Sequence, residues 1–403
     1  MKAYPEYKAS GIDWLGDIPS HWNIVKGAWC CTFQYGFPAD SRFFSNERKG
    51  IPLIRIRDIY SHDTEIYYNN SDFTLEYIVN NGDILIGMDG DFNVSRWKGG
   101  ISLLNQRVCK FEKSDSLIKG FLFYLLPIIL KEINNIKYST TVKHLSVQDL
   151  SEMRLPIPPV AEQEAIAAYL DDVTGKIDAL ISEKRKQMED IRAYRTSLIT
   201  ETVTRGLNPD APLRPSGIDW LGDIPEHWIT SKLKYYIAIT NGSDPKLEGD
   251  IAVYGSGGAS FRTCGEFKEG PSVLLGRKGT INIPRWIEGK YWNVDTAFDC
   301  KSINDYNLRF FYYIALIFDY DKYKSNTAVP SMTQGDYNNF ILPVPPLAEQ
   351  QAIADFLDTK TAKIDVLISE LTKQIDELTE YKQAVITEAV TGKVDVRDYK
   401  PSN

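Results

Sequence analysis

The nonapeptide GIDWLGDIP occurs twice in this chain, at Gly11–Pro19 and Gly217–Pro225, and each copy runs on to a His-Trp pair, His21-Trp22 and His227-Trp228. A second motif is doubled as well, LPIPPVAEQ at Leu155–Gln163 against LPVPPLAEQ at Leu342–Gln350. The first pair is offset by 206 positions and the second by 187, so the halves differ by a 19-residue change in length between the motifs. Solenoid repeats have periods of roughly 20–50 residues, so spacing this long means two duplicated units, not an array. Between the motifs lie two divergent inserts, roughly 23–154 and 229–341. A frame kept twice around inserts varied twice suits a scaffold that presents two different readers.

Each Pro-Pro pair (Pro158-Pro159, Pro345-Pro346) bars helix before it, and an acidic first turn follows, which suits a helix N-terminus. Apolar residues then recur in steps of three and four. They are Ile166, Leu170, Val173, Ile177, Leu180, Met188, Ile191, Tyr194 and Leu198 in the first copy. In the second they are Ile353, Leu357, Ile364, Leu367, Leu371, Ile375, Leu378, Tyr381 and Val385. The pattern predicts two helices of about 40 residues, about 60 Å long at 1.5 Å per residue, with a coiled-coil seam. Neither can bury its stripe alone, so we expect them to pair with each other through Ile166, Leu170, Ile177, Met188 and Ile191 on one side and Ile353, Leu357, Ile364, Ile375 and Leu378 on the other. The alternative is that each packs on its own domain. The C-terminal Tyr399–Ser402 resembles Leu213–Ser216 and Tyr7–Ser10, so the chain stops where a third copy would begin. That predicts a pseudo-two-fold, cyclic arrangement with antiparallel helices and one insert at each end of a rod. The expected fold is α+β. Its expected parts are a first variable domain (1–154), a first long helix (155–206), a connector and second variable domain (207–341), and a second helix with tail (342–403).

Bulk properties exclude little. A length of 403 residues suggests two to three domains, and the hydrophobic and charged fractions are ordinary for a globular protein. Five cysteines in no metal-type spacing read as buried thiols. No signal peptide is expected, since Met1–Ser10 is polar. The apolar run Phe121–Leu130 is far below the ~20 residues a membrane span needs, so it reads as a core helix. A cytoplasmic location is the expectation. The net charge of −8 argues against a nucleic-acid partner only until it is located. Residues 23–154 carry 16 Lys/Arg against 15 Asp/Glu and 229–341 carry 13 against 12, so the acidity lies in the frame. DNA contact needs positive surface on one face only.

Both inserts mix short β-like runs (Pro52–Ile59, Asp83–Gly87, Ser272–Gly276) with turn residues and a late helical segment, and they align as distant relatives. GMDGDFNVSRW (Gly87–Trp97) matches GRKGTINIPRW (Gly276–Trp286), and Tyr138–Leu150 matches Lys324–Tyr337. Shared positions (Gly87, Gly90, Arg96 and Trp97 with Gly276, Gly279, Arg285 and Trp286) read as fold or phosphate roles, and differing ones as specificity. No catalytic constellation emerges. His21 and His227 repeat with the frame and read as structural hydrogen-bonding groups. His62 and His144 lack ligand partners at metal spacing, so no metal is expected. GRKGT lacks P-loop spacing and reads as a glycine turn, no Rossmann fingerprint or amino-methyltransferase motif occurs, and Asp171-Asp172 read as solvated.

With these motifs the chain resembles the specificity (S) subunit of type I DNA restriction–modification enzymes. The likeness rests on the paired GIDWLGDIP…HW segments, the paired LP[IV]PP[VL]AEQ segments heading long helices, and the divergent domain before each. The resemblance implies that each variable domain reads one half of a bipartite, asymmetric target in double-stranded DNA. It also implies that the helices dock two methyltransferase subunits and that restriction (motor/nuclease) subunits join them. The chain itself would then be non-catalytic and bind no cofactor, with S-adenosylmethionine, ATP and Mg belonging to the partners, and no membrane involved. A coiled-coil adaptor carrying two ligand-binding domains without DNA binding is the alternative, and a stand-alone enzyme is disfavoured because the inserts share no nucleophile–base pair. Candidate DNA contacts in the first insert are Arg55, Arg57, Arg96, Lys98, Gln106, Arg107, Ser139, Thr140, Thr141 and Lys143. In the second they are Tyr254, Ser256, Arg277, Lys278, Arg285, Lys324, Ser325 and Thr327. Arg and Gln suit base edges, while Lys, Ser and Thr suit phosphates.

Overall fold

The computed structural model of the chain describes residues 2–114, 116–137, 143–325 and 329–400. Ser139, Thr140, Thr141 and Thr327 of the candidate list, and Pro401 and Ser402 of the tail motif, lie outside the described residues. Packing divides the chain into two units, one of Met1–Glu183 with Gln374–Asn403 and one of Lys184–Lys373. The cut differs from the sequential ranges expected above because each long helix contributes one half to each unit. Helix Val160–Arg205 has 46 residues and helix Leu347–Val390 has 44, a little longer than the spacing predicted.

In the first unit a four-stranded antiparallel sheet runs in the order Thr32–Tyr35, Val108–Lys113, Ile84–Gly87, Val94–Arg96. The second unit repeats that order with Ile237–Asn241, Ala297–Ser302, Ser272–Gly276 and Arg285–Ile287. Each unit has a further mixed sheet containing one parallel pair, Ile51–Ile54 with Ser102–Leu104 and Ile251–Tyr254 with Lys290–Asn293. The central strands Ile84–Gly87 and Ser272–Gly276 are wholly buried, which explains their near-continuous apolar sequence. The run Pro52–Ile59 is strand only as far as Ile54. Asp58 then accepts from the Arg55 amide and guanidinium and turns the chain into one 3₁₀ turn. Phe121–Leu130 lies inside helix Lys119–Lys137, with six of its residues at or below 3 % exposure and Pro127 facing out.

The frame segments fold alike in both units. Tyr7–Ala9 pairs antiparallel with Asp17–Pro19, and Leu213–Pro215 pairs with Asp223–Pro225 in the same register. Asn23–Lys26 pairs with Arg154–Ile157 and Ile229–Lys232 with Ile341–Val344, so each insert begins and ends on one two-stranded ribbon that leads into a long helix.

Within each unit the helix halves run antiparallel. In the second unit Met188 Sδ accepts from Thr372 Oγ1 at 3.8 Å, and one heptad further on Arg195 Nε donates to Asp365 at 3.1 Å. In the first unit Lys382 Nζ donates to both oxygens of Asp178 at 2.7 Å. Ile166, Leu170, Ile177, Ile353, Leu357 and Ile364 are buried, whereas Met188, Ile191, Ile375 and Leu378 are half-buried. Four residues of the apolar pattern are corrected: Leu180, Tyr194, Leu367 and Tyr381 are exposed. The inward positions are their neighbours Ile181, Arg195, Ile368 and Lys382. Three-four spacing is kept through two cations whose stems cover the seam while their heads reach Asp365 and Asp178.

In the first unit the C-terminal tail packs on the N-terminal segment. Asp395 N donates to Lys2 O at 2.8 Å, and the Arg397 guanidinium lies 5.2 Å from the Tyr4 ring centre. Lys393 Nζ donates to Leu15 O at 3.0 Å, and the Tyr399 ring meets Tyr169 edge-on at 4.8 Å. The tail thus closes the first unit non-covalently where the 207–216 connector closes the second through the chain itself.

Candidate nucleic-acid interface

The doubled motifs find their explanation in one carboxylate per unit, buried in the first and half-buried in the second. Glu162, 4 % exposed at the start of its helix, accepts from Trp22 Nε1 at 2.9 Å and Tyr4 Oη at 2.5 Å, and bonds His21 Nε2 at 2.8 Å. Glu349 repeats this with Trp228 Nε1 at 3.0 Å and His227 Nε2 at 2.9 Å. Burial and the Glu162 carboxylate push the Tyr4 phenol well above its ordinary value. The next residue of the motif pins the recognition domain. Gln163 accepts from Ile118 N at 2.9 Å and donates to Ser116 O at 2.7 Å, and Gln350 accepts from Asn307 N at 2.8 Å. The indoles also plug a helix end. An added Cβ on Gly392 would come within 2.3 Å of Pro19 and 3.2 Å of Trp22, and one on Gly206 within 3.2 Å of Trp228; both glycines have positive φ. In each unit the His-Trp segment therefore ties the start of one long helix to the end of the other, and the histidines serve structure.

Asp171 and Asp172 are not merely solvated. Asp171 accepts from Tyr124 Oη at 2.7 Å and pairs with Arg96 at 3.5 Å, while Asp172 accepts from Tyr399 Oη and from Lys176 at 2.8 Å. In the second unit Asp358 accepts from Tyr313 Oη at 2.5 Å and from Arg309 at 2.7 Å.

Two recognition-domain loops share one backbone scaffold. After strand Ile84–Gly87, Met88 N donates to Arg107 O, Gly90 N to Lys143 O, and Leu145 N to Met88 O at 2.7–3.1 Å. After strand Ser272–Gly276, Arg277 N donates to Thr296 O, Gly279 N to Pro330 O, and Met332 N to Arg277 O at 2.8–2.9 Å. Isolated bridges join Asp89 to His144 and Lys278 to Ser331, and Gly90 and Gly279 both take the positive φ that the turn requires. A capping box follows at each place, Ser146 with Asp149 and Thr333 with Asp336.

Around this scaffold the first domain brings Arg55, Arg57 and Arg107 to one groove of about 460 Å³, together with Tyr60, Asn93 and Asn105. Arg57 and Arg107 are exposed, while Arg55 is committed to Asp58 at 2.9 Å. Gln106 is exposed beside Arg107, its backbone N–H donating to Phe37 O, and the Lys143 carbonyl accepts from the glycine turn. Arg96 and Lys98 belong elsewhere. They line a separate cleft of about 450 Å³ with His62, Asp171, Asp178 and Lys382, where Arg96 stacks on Phe123 at 4.7 Å. Burial, with the nearby Lys98 ammonium, lowers the His62 imidazole below its ordinary value.

In the second domain Tyr254, Ser256, Arg277, Lys278, Arg285 and Ser325 do converge. Ser256 N donates to Thr296 Oγ1 at 3.3 Å, and Ser256 Oγ lies 3.4 Å from where a Cβ on Gly279 would sit. Arg285 lies 5.4 Å from the Tyr254 ring centre, Arg277 Nη1 donates to Asp295 O at 3.2 Å, and Ser325 bonds Ser331 at 2.9 Å. Lys324 pairs with Asp321 at 2.6 Å and stands apart from Arg277 and Lys278 in these bonds. Arg96 and Arg285, matched in sequence, differ in role. Arg309 does in the second unit what Arg96 does in the first, stacking on Trp286 at 4.7 Å and pairing with Asp358. Sequence reasoning passed over Asp89, His144, Thr296 and Ser331. The signal was present in the mismatch of Met88-Asp89 with Arg277-Lys278 inside an otherwise matched glycine turn.

No group of three or more His, Cys, Asp or Glu able to hold a metal occurs among the described residues. The family model for the type I restriction modification DNA specificity domain matches residues 39–190 and again 231–377. The chain is 39 % identical over 200 residues to the type I restriction enzyme EcoBI specificity subunit of Escherichia coli, covering 49 % of this chain and 42 % of that protein. It is 25 % identical over 360 residues to the type I restriction enzyme MjaVIII specificity subunit of Methanocaldococcus jannaschii, covering 80 % and 81 %. A solved chain from work on complex assembly and conformational transition of the type I R-M system superposes with a TM-score of 0.71. It covers 94 % of this chain and 99 % of that one at 16 % identity, a likeness of fold. With the specificity domain matched twice, over about three quarters of its length, the chain belongs to the type I restriction modification DNA specificity family.

Proposed function

We propose that this chain is the DNA-specificity component of a type I restriction–modification complex, each recognition domain reading one half of a bipartite, asymmetric duplex target. The observation that carries the reading is the pair of glycine-turn loops. One backbone scaffold is built twice and dressed with different polar side chains, beside exposed arginines in the first domain and an exposed lysine with half-buried arginines in the second, groups suited to base edges and phosphates. In this reading the long helices dock two methyltransferase subunits, and restriction subunits join that assembly. The chain performs no chemistry and carries no cofactor, leaving S-adenosylmethionine, ATP and Mg to its partners in the cytoplasm. No helix among the described residues is long and apolar enough to cross a membrane.

Exchange of residues 23–154 for the matching segment of a relative tests the reading, with methylation mapped in a host carrying the complete system. One half-site should change and the other persist. A chimera that alters both halves together, or neither, removes modular recognition. If the assembled complex shows no salt-dependent binding to duplex DNA, the adaptor reading takes its place.

A further inference from the structure

The two glycine-turn loops differ in charge at one position that their backbones treat identically. Asp89 and Lys278 each form an isolated bridge that ties the turn to the segment before the capping box, opposite His144 and Ser331 respectively. In the first domain the carboxylate is braced from two sides. Its Oδ1 lies 2.6 Å from His144 Nδ1, and its Oδ2 lies 3.3 Å from Arg107 Nη1. Its side chain stays 35 % exposed, and an ionised carboxylate has about four acceptor sites, so capacity remains on the open side. Arg107 also lines the groove that holds Arg57 and Asn105.

A plain structural role would make Asp89 the pin of its turn. The second domain argues against that, because it builds the same turn around Lys278 and Ser331 with no carboxylate. What one domain needs and its twin does without is not demanded by the fold. A carboxylate at a DNA surface is repelled by phosphates, and the Arg107 guanidinium beside it offsets that repulsion while His144 holds the carboxylate in place, without consuming every lone pair. A carboxylate acceptor suits a base that offers an exocyclic N–H, whereas arginine or lysine at the same place suits guanine O6 and N7.

Resting on the DNA-specificity reading above, we propose that Asp89, held by Arg107 and His144, is a specificity-determining acceptor. It takes a hydrogen bond from the exocyclic amino group of a cytosine or adenine in the half-site read by the first domain. Lys278 and Arg277 present donors at the corresponding place in the second.

The test uses the full specificity chain assembled with its methyltransferase, with the methylated sites mapped for wild type, Asp89→Ala, Asp89→Asn and the double variant Asp89→Lys/His144→Ser. The double variant transplants a pair around which the second domain already folds, so it guards against simple misfolding. For Asp89→Ala, discrimination at one base pair of the first half-site should fall by roughly tenfold or more, with the second half-site unchanged. The base that becomes tolerated in place of cytosine or of adenine identifies which amino group is read. Asp89→Asn, which keeps an acceptor oxygen, should lose less, and the double variant should shift preference at that position toward guanine. If wild type methylates a bipartite site and both Asp89→Ala and the double variant keep its first half intact, the assignment of Asp89 fails while the specificity reading stands. If wild type methylates no defined sequence, the specificity reading itself fails.

Discussion

At the residue scale the most informative atoms are the carboxylates of Glu162 and Glu349. Replacing Glu162 with Ala strands the Trp22 indole N–H and the Tyr4 hydroxyl in a buried site, and each buried donor without a partner costs about 1–3 kcal/mol. Thermal unfolding of Glu162→Ala should therefore show a loss of about 3 kcal/mol. Glu349→Ala should lose less, since that carboxylate is 25 % exposed and bonds one indole and one histidine. Equal losses would mean that burial does not set the difference. The letters H, W, E and Q stood out in the sequence as a doubled frame, but their pairing did not. His21 and Glu162 are 141 positions apart, and no local periodicity links them. The Asp89–His144–Arg107 group was hidden for a related reason. A bracing interaction reads in sequence as three unrelated polar residues, and it became visible only when the two domains could be compared bond by bond.

At the scale of elements, the helices were legible because a 3.6-residue period survives over five heptads, bounded by prolines before each helix and a glycine after it. The seam was legible only to within one position. Leu180 and Ile181 are both apolar, as are Leu367 and Ile368, and the residues that break the tie are the cations Arg195 and Lys382, which a hydrophobic pattern skips. Their ion pairs are related by the repeat: Asp178 with Lys382, and Asp365 with Arg195. Both are substantially exposed, so Lys382→Asp should cost only about 1 kcal/mol, and adding Asp178→Lys should recover most of it. A double variant no better than the single would show that the two residues do not interact. The C-terminal tail supplies a pH prediction. The Arg397 hydrogen bond holds Asp395 below the usual carboxylate range, and hydrogen bonds from Lys176 and then Tyr399 do the same for Asp172. Folded-state values below the unfolded ones add stability above about pH 4 that is lost as pH falls through the depressed values. The protection of the Asp395 amide, bonded to Lys2 O, relative to its intrinsic exchange rate at each pH should fall on acidification. Asp395→Asn should exchange faster already at pH 6 and respond less to acid.

At the scale of the whole molecule, the duplicated frame made the two-unit plan readable, while the recognition domains showed their kinship in sequence at two short segments only and displayed the rest in strand order. The remaining consequence is topological. In the second unit the chain passes from the helix end at Arg205 through Gly206 and an exposed, Pro-containing connector into the strand Leu213–Pro215 and the next frame segment. In the first unit the corresponding passage is broken. The helix ends at Val390, the tail continues to Val396–Tyr399 against Lys2, Tyr4 and Tyr169, and the strand Tyr7–Ala9 begins the frame afresh. The tail and the N-terminal segment already touch, so a short linker from Asn403 to Met1 asks for no helix to unwind. Reopening the chain within 208–216 cuts exposed backbone, where permutation is tolerated. The permutant should fold, keep a thermal midpoint within a few degrees of wild type, and support methylation of the same bipartite site when assembled. The second unit would then be closed by docking alone, as the first is now. A permutant with full secondary structure that cannot direct methylation would show that the connector does more than close the second unit, whereas one that unfolds would show that the tail contacts cannot stand in for the peptide bond.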